Sequence, residues 1–432
     1  MQLSCAKFRN FVLVIITIQA AAFLAYYSLA SNGKKTPNPI IYMSGETLDY
    51  SGEYRIVRFY KFKGITSDFN YFDVSLATQC SINHLHHLVE LLDRWNGPVS
   101  CSVFVPNQDA SFADDAINRL RECYPKIDQH VTFHLVYPST HIGDLSLAGS
   151  WLQFSCAELL IKLENYGYQN YDVAGISFPH NALRNAARNG VLTQYVLLVD
   201  IDVMPNVGLR TQFIDFANRH SLFTTSVTDM TAYVVPVFEV LAGLEFPKDK
   251  NLLLAGVENG SVRPFHNETC WWCHKTEDFD KWKTFPQRDE MNIAFTAEWD
   301  KSWEPFYIAR RTVPMFDERF KQYGFDRIQQ ICEMYVAGYT FSVLDNAFLT
   351  HHGWKRAGDF YAKKDSDNAQ NWILFNYHFK DNLMLKYSTN RTCSPIKPWI
   401  PKNKRGALVG GQGFVNSRLN AKQQLKMNIK TL

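Results

Sequence analysis

A chain of 432 residues that is 46% hydrophobic, 20% charged and 14% aromatic has the composition of a globular protein with ample core. Its formal net charge of +3 excludes the overall basic field that nucleic-acid binding requires, so no nucleic-acid partner is expected. The 31 Phe, 21 Tyr and 10 Trp supply flat apolar faces suited to stacking on sugar rings.

The first feature in chain order is an uncharged run over residues 11–30, long enough to cross a ~30 Å hydrocarbon core as a helix. Lys7 and Arg9 precede it and Lys34 and Lys35 follow, so the flanking charges leave its orientation open. A cleaved signal peptide is the rival, with a cleavage site in the Ala-rich stretch at 20–25. The run exceeds a typical signal core, which favours an uncleaved anchor with a cytosolic N-terminus. The remainder then enters the secretory lumen as a single-pass type II membrane protein. The expected organisation is a cytosolic tail at 1–10, the anchor at 11–30, a polar stem at 31–70, one large domain at 71–392 and a basic tail at 393–432. Asn259, Asn267 and Asn390 each open an Asn-x-Ser/Thr glycosylation triplet. Of nine cysteines, Cys5 falls on the cytosolic side, leaving eight for a disulfide set whose pairing the sequence does not choose.

From Asp73 onward strands and helices alternate. Residues 74–78 read as a strand. Ser81 then caps a helix with Leu85, Leu88, Leu91 and Leu92 on its apolar face. Gly97-Pro98 ends that helix, and residues 99–105 form a second strand. A helix at 113–123 and a strand at 131–137 repeat the rhythm. Phe178-Pro179 opens a helix over 181–188 with Gly190 past its end. Residues 194–199 form a short, almost wholly apolar strand, which suits the middle of a mostly parallel sheet. Residues 234–240 read as one strand, followed by a loop-rich stretch dense in Trp and Cys. A helix at 328–336 and a last strand at 339–343 complete the pattern. The alternation argues an α/β fold with a mostly parallel central sheet of the nucleotide-binding kind.

Leu197-Leu198-Val199-Asp200-Ile201-Asp202 is the strongest local signal. A buried strand ending in two acids spaced i, i+2 puts both carboxylates where open α/β sheets place ligands. Mn²⁺ or Mg²⁺ takes oxygen ligands from one or two such carboxylates plus phosphate oxygens, so Asp200 and Asp202 are candidate metal ligands. His351-His352-Gly353-Trp354-Lys355 follows the last strand; His351 is placed to complete the metal shell and Lys355 to neutralise a phosphate. Arg184 and Asn185 lie off the apolar stripe of the 181–188 helix; they are candidates for donor phosphate or carboxylate, or part of a solvated face. Acids among aromatics in Trp303-Glu304-Pro305-Phe306-Tyr307, Phe316-Asp317-Glu318-Arg319-Phe320 and Tyr323-Gly324-Phe325-Asp326 suit a sugar site, with Asp317, Glu318 and Asp326 as candidate general bases. Cys270-Trp271-Trp272-Cys273-His274 lacks the second pair a zinc site needs and reads as a local disulfide. His84, His86 and His87 read as surface residues.

Together these blocks resemble the β-1,4-glucuronyltransferase family, close kin of the glucuronyltransferase half of the LARGE enzymes. The resemblance runs from about Glu53 to Tyr387 and omits the tail after Cys393. It implies a GT-A fold in a Golgi enzyme that takes glucuronic acid from UDP-glucuronate and places it β-1,4 on a xylose-terminated glycan. That step primes the polymer that LARGE-type glycosyltransferases extend on the O-mannosyl glycan of α-dystroglycan. Asp200 and Asp202 match the family's metal-binding DxD and His351 its late metal-binding histidine. At the position of Asp326 relatives often carry Asn. Two rival readings are a non-catalytic, lectin-like Golgi partner and a metal-dependent nucleotide-sugar hydrolase.

Overall fold

The computed structural model describes residues 45–62, 70–107, 109–140, 154–166, 176–224, 229–274, 276–356 and 365–393. The anchor expected at 11–30 and the tail after Cys393 lie outside them. Among the described residues no helix is long and apolar enough to cross a membrane.

The elements run β1 (Glu46–Leu48), β2 (Tyr54–Lys61), β3 (Val74–Ser81), α1 (His87–Arg94), β4 (Val99–Phe104), α2 (Asp109–Cys123), α3 (Pro125–His130), β5 (Val131–Pro138), α4 (Cys156–Glu164) and α5 (His180–Asn189). Then come β6 (Tyr195–Leu198), β7 (Val203–Pro205), α6 (Leu209–Arg219), β8 (Thr231–Val235), β9 (Val237–Val240), α7 (Lys250–Glu258), β10 (Val262–Pro264), α8 (Thr276–Trp282), β11 (Ile293–Ala297) and β12 (Phe306–Arg310). The last are α9 (Ile328–Ala337), β13 (Thr340–Leu344), β14 (Leu349–His352), α10 (Asp365–Leu374) and α11 (Lys380–Tyr387), the final two joined by a wider helical turn, Phe375–Phe379.

Ten strands form one sheet in the order β1-β2-β5-β4-β3-β6-β12-β8-β13-β11, and four form a second, β10-β9-β14-β7. The middle of the large sheet, β5-β4-β3-β6, is parallel, as the alternation predicts. The whole is mixed rather than mostly parallel. β12 enters antiparallel between β6 and β8, with Ile308 opposite Leu197, and β1, β2 and β11 are antiparallel to their neighbours. The reason is the return path: β12 follows an excursion rather than a helical crossover, and only a crossover delivers a strand parallel.

Two further expectations change. Residues 46–61 belong to the sheet and not to a stem: β2 pairs with β5, Tyr54 opposite Pro138 and Ile56 opposite Val136. A register shift between Val57 and Lys61, with Phe59 at φ 53°, breaks the period-two pattern and hides the strand in the sequence. Residues 234–240 make two strands, because Pro236 lacks the N–H a ladder needs. β8 stays in the large sheet and β9 passes into the small one.

α1 forms as its leucine spacing predicts; Leu85, Leu88, Leu91 and Leu92 are all fully buried. Ser81 starts a short turn, Ile82–His84, and bonds Asn83 Oδ1 at 2.5 Å in place of capping. α5 packs on β3 and β4 so closely that a Cβ on Gly190 would come within 2.1 Å of His134 Nε2. Its polar residues are not solvated: Asn181, Arg184, Asn185 and Arg188 are buried beneath the 313–326 segment.

Candidate active site

β6 is buried along its whole length and delivers the chain to Asp200-Ile201-Asp202, which turns directly into β7 through Val203 N–H to Asp200 C=O at 3.0 Å. β14 runs antiparallel to β7 with His351 opposite Val203. That register sets His351 Nε2 3.3 Å from Asp202 Oδ2. The other ring nitrogen, Nδ1, faces the Gly353 carbonyl at 3.2 Å, so it carries the proton. In a neutral ring Nε2 then points a lone pair at a carboxylate oxygen. Two acceptors at that spacing match cis ligands of one cation, whose bonds are about 2.0–2.2 Å long. The residues present therefore fit a divalent ion. Asp202 keeps its charge there: burial opposes ionisation, but His351, when its ring is protonated and no ion is bound, and Lys355 draw its carboxyl down.

One oxygen of Asp200 is taken up by neighbouring side chains. Its Oδ1 lies 2.8 Å from Arg327, 3.5 Å from Arg184 and 3.3 Å from the Gln79 amide, which donates to it. Burial raises its carboxyl, and the two guanidinium groups outweigh burial and hold it well below the usual range. Arg184, only 3% exposed, also bonds Asp326 at 2.6 Å. Both terminal nitrogens of Arg184 are thus committed to protein carboxylates. Asn185 donates to Phe316 C=O and to Glu318 Oε1, both at 2.8 Å, and accepts from Phe316 N–H. These two residues brace the wall of the site and face inward. Lys355 stands on the metal side, its ammonium 5.3 Å from the Phe265 ring and felt by Asp202.

The three carboxylates expected as bases are all engaged. Asp317 is held by Arg319 at 3.0 Å and 2.5 Å. Glu318 accepts from Asn185 and, at 2.6 Å, from Tyr50 N–H. Asp326 is bound to Arg184, which lowers its carboxyl against the opposing effect of burial. Asp326 follows a tight turn in which Gly324 (φ +89°) and Phe325 (φ 61°) are both left-handed. Asn371 on α10 pins that turn, its amide donating to the carbonyls of Lys321, Tyr323 and Gly324 at 2.8, 3.1 and 2.8 Å.

A second cluster escapes sequence reasoning. His266, His274 and Glu304 come together with ligand atoms within 4.8 Å of one another. Cys270 and Cys273 form the local disulfide expected of their spacing, and the loop they tighten carries His274. Cys273 C=O accepts from Glu304 N–H at 2.8 Å, and His274 Nε2 lies 3.9 Å from Glu304 Oε1. Burial pushes Glu304 up to about 8 and His266 down to about 3. The only sequence signals are the short His266-to-His274 spacing and one acid between Trp303 and Pro305. His84 and His87 differ from expectation too. They are half-buried, their rings stack 5.9 Å apart, and both feel the charge of Asp202.

Among the described residues the cysteines form three bridges, Cys123–Cys156, Cys270–Cys273 and Cys332–Cys393, while Cys80 and Cys101 are buried thiols on neighbouring strands. Asn259, Asn267 and Asn390 are all exposed.

Residues 73–388 match the family described as glycosyl-transferase for dystroglycan. Beta-1,4-glucuronyltransferase 1 of Danio rerio is 36% identical over 389 residues, 84% of this chain and 88% of that protein. The Homo sapiens protein of the same name is 38% identical over 359 residues, 81% of this chain and 84% of its own. Xylosyl- and glucuronyltransferase LARGE1 of Homo sapiens is 27% identical over 281 residues, 65% of this chain and 31% of that protein.

Proposed function

This chain belongs to the family of glycosyl-transferases for dystroglycan, and from that premise we propose that it transfers glucuronic acid from UDP-glucuronate to a xylose-terminated glycan in β-1,4 linkage. The observation that carries the proposal is the Asp202–His351 pair, 3.3 Å apart beyond the carboxyl end of a buried strand, with Asp200 beside it.

The donor is α-linked and the product β-linked, so the reaction is one in-line displacement with inversion. Asp200, Asp202 and His351 are the proposed holders of Mn²⁺ or Mg²⁺. Held there, such an ion would supply Lewis-acid stabilisation of the negative charge that develops on the leaving group. Lys355 adds a positive charge on the same side. Arg184 and Arg327 fix the Asp200 carboxylate and keep it ionised against burial. Asn185 and the Asp317–Arg319 pair hold the 313–326 wall in one geometry, the preorganisation that transfer needs.

A GT-A arrangement, the anchor at 11–30 and a Golgi lumenal site belong to the same proposal. Three disulfides and three exposed glycosylation triplets support an oxidising secretory compartment. The product is the primer that LARGE-type enzymes extend.

A screen of UDP-sugars with Mn²⁺ and a β-xyloside acceptor tests this. Metal-dependent transfer from UDP-glucuronate alone is the expected result. Hydrolysis of donor at a rate indifferent to acceptor identifies a hydrolase, and silence across all donors identifies a non-catalytic partner; either outcome ends the proposal.

A further inference from the structure

Transfer to a hydroxyl needs a proton acceptor, and Asp317, Glu318 and Asp326 are each held by donors within the fold. Glu304 is different. Its carboxylate lies 3.9 Å from the His274 imidazole, too far for a hydrogen bond. Its side chain is 17% exposed, largely shielded but not sealed from solvent. Two residues on, the Phe306 ring lies 4.2 Å from the Arg327 guanidinium, which in turn reaches Asp200 Oδ1 at 2.8 Å, so the 304–306 stretch borders the aspartates.

Its backbone is fixed from both sides. Trp303 is buried edge-on to Phe341 at 5.2 Å, Pro305 restricts the residue before it, Glu304 itself, and Glu304 N–H is bonded to Cys273 C=O inside a disulfide-closed loop. The charged and titratable groups that surround it are Asp326, Arg327, Arg184 and Asp200 on the donor side and His266 and His274 behind.

We propose that Glu304 is the catalytic base that takes the proton from the attacking acceptor hydroxyl, an assignment that rests on the transferase reading above. The acceptor O–H bond breaks as its oxygen bonds to C1 of the donor sugar. The C1–phosphate oxygen bond breaks with its electron pair leaving on UDP, and the proton passes to the Glu304 carboxylate and then to water. Both histidines behind it are held neutral by burial, chiefly, so neither places a cation against the carboxylate to weaken it as a base. The high proton affinity of a shielded carboxylate suits the role.

Glu304→Gln, Glu304→Asp and the parent chain are compared for transfer, for Mn²⁺-dependent UDP binding and for pH dependence. In Glu304→Gln, kcat is expected to fall about 10²-fold or more while UDP affinity with Mn²⁺ stays within about 2-fold. The acidic limb of the kcat/KM profile disappears, and Glu304→Asp recovers part of the rate. A Glu304→Gln rate within about 3-fold of the parent overturns the assignment, as does loss of Mn²⁺–UDP binding in step with activity. A parent chain that binds Mn²⁺–UDP and transfers nothing sinks the transferase reading itself, a distinct result.

Discussion

Arg184→Met is the sharpest test of how the site is held together. The guanidinium is 3% exposed and joins Asp326 at 2.6 Å to Asp200 at 3.5 Å. Methionine fills much of the volume and removes the charge. Asp200 retains Arg327 at 2.8 Å, so most of the loss falls on Asp326, which is left buried without its partner. Removing one member of a buried pair costs about 3–5 kcal/mol, and the surviving Arg327 contact argues for the lower end. Urea unfolding at pH 7 without metal gives the number. Arg184→Met/Asp326→Asn removes both charges and is expected to recover at least half the loss. The pH dependence gives an independent signature. Without Arg184, burial is opposed only by the weaker influence of His180 and Arg327, which shifts the Asp326 carboxyl upward so that it protonates more readily in the folded state. The stability gap between variant and parent therefore narrows as pH falls from 7 toward 4. A single-variant loss below about 1 kcal/mol, or strictly additive losses in the pair, refutes the reasoning.

Asp202→Asn removes a proposed ion ligand and should weaken Mn²⁺-dependent UDP binding by about 10-fold or more, measured by calorimetry, with metal-free folding little changed. His87 and His180 are held down to about 4 and His266 to about 3, each chiefly by burial. The unfolded chain takes up those protons near pH 6.5 and the folded one only below about 4, so stability is full above that range and falls as pH drops through it. A urea midpoint constant between pH 7 and 4.5 contradicts this. Asn371→Ala strips three carbonyls of their donor and should cost about 1–3 kcal/mol and slow turnover, because the turn bearing Asp326 loosens; unaltered kcat and midpoint would count against the pin. Gly190→Ala drives a methyl into His134 and should lower the urea midpoint by about 1–3 kcal/mol of stability, a loss that an unchanged midpoint would disprove.

Where one period runs uninterrupted, the sequence was legible. The leucines of α1, the apolar run of β6 and the Pro179-to-Gly190 frame of α5 all announce their elements within a few residues. The Asp200–Asp202 pair was visible for the same reason, as a polar break at the end of an apolar strand. What stayed hidden depends on distant partners. β2 is masked by its bulge, and β12 by an antiparallel insertion that no local pattern encodes. The buried polar face of α5 looks solvated until the 313–326 segment is seen to cover it. Glu304 gains its character only when a disulfide loop folds two histidines against it.

The division at Pro236 has a mechanical side. β8 and β9 are two halves of one extended run, parted where a missing N–H removes a rung, so this peptide is a seam between the large and small sheets. Asp200 follows β6 of the large sheet, whereas Asp202 leads into β7 and His351 lies on β14, both of the small one. An ion gripped by both would act as a clasp across that seam, tightening the joint as it loads.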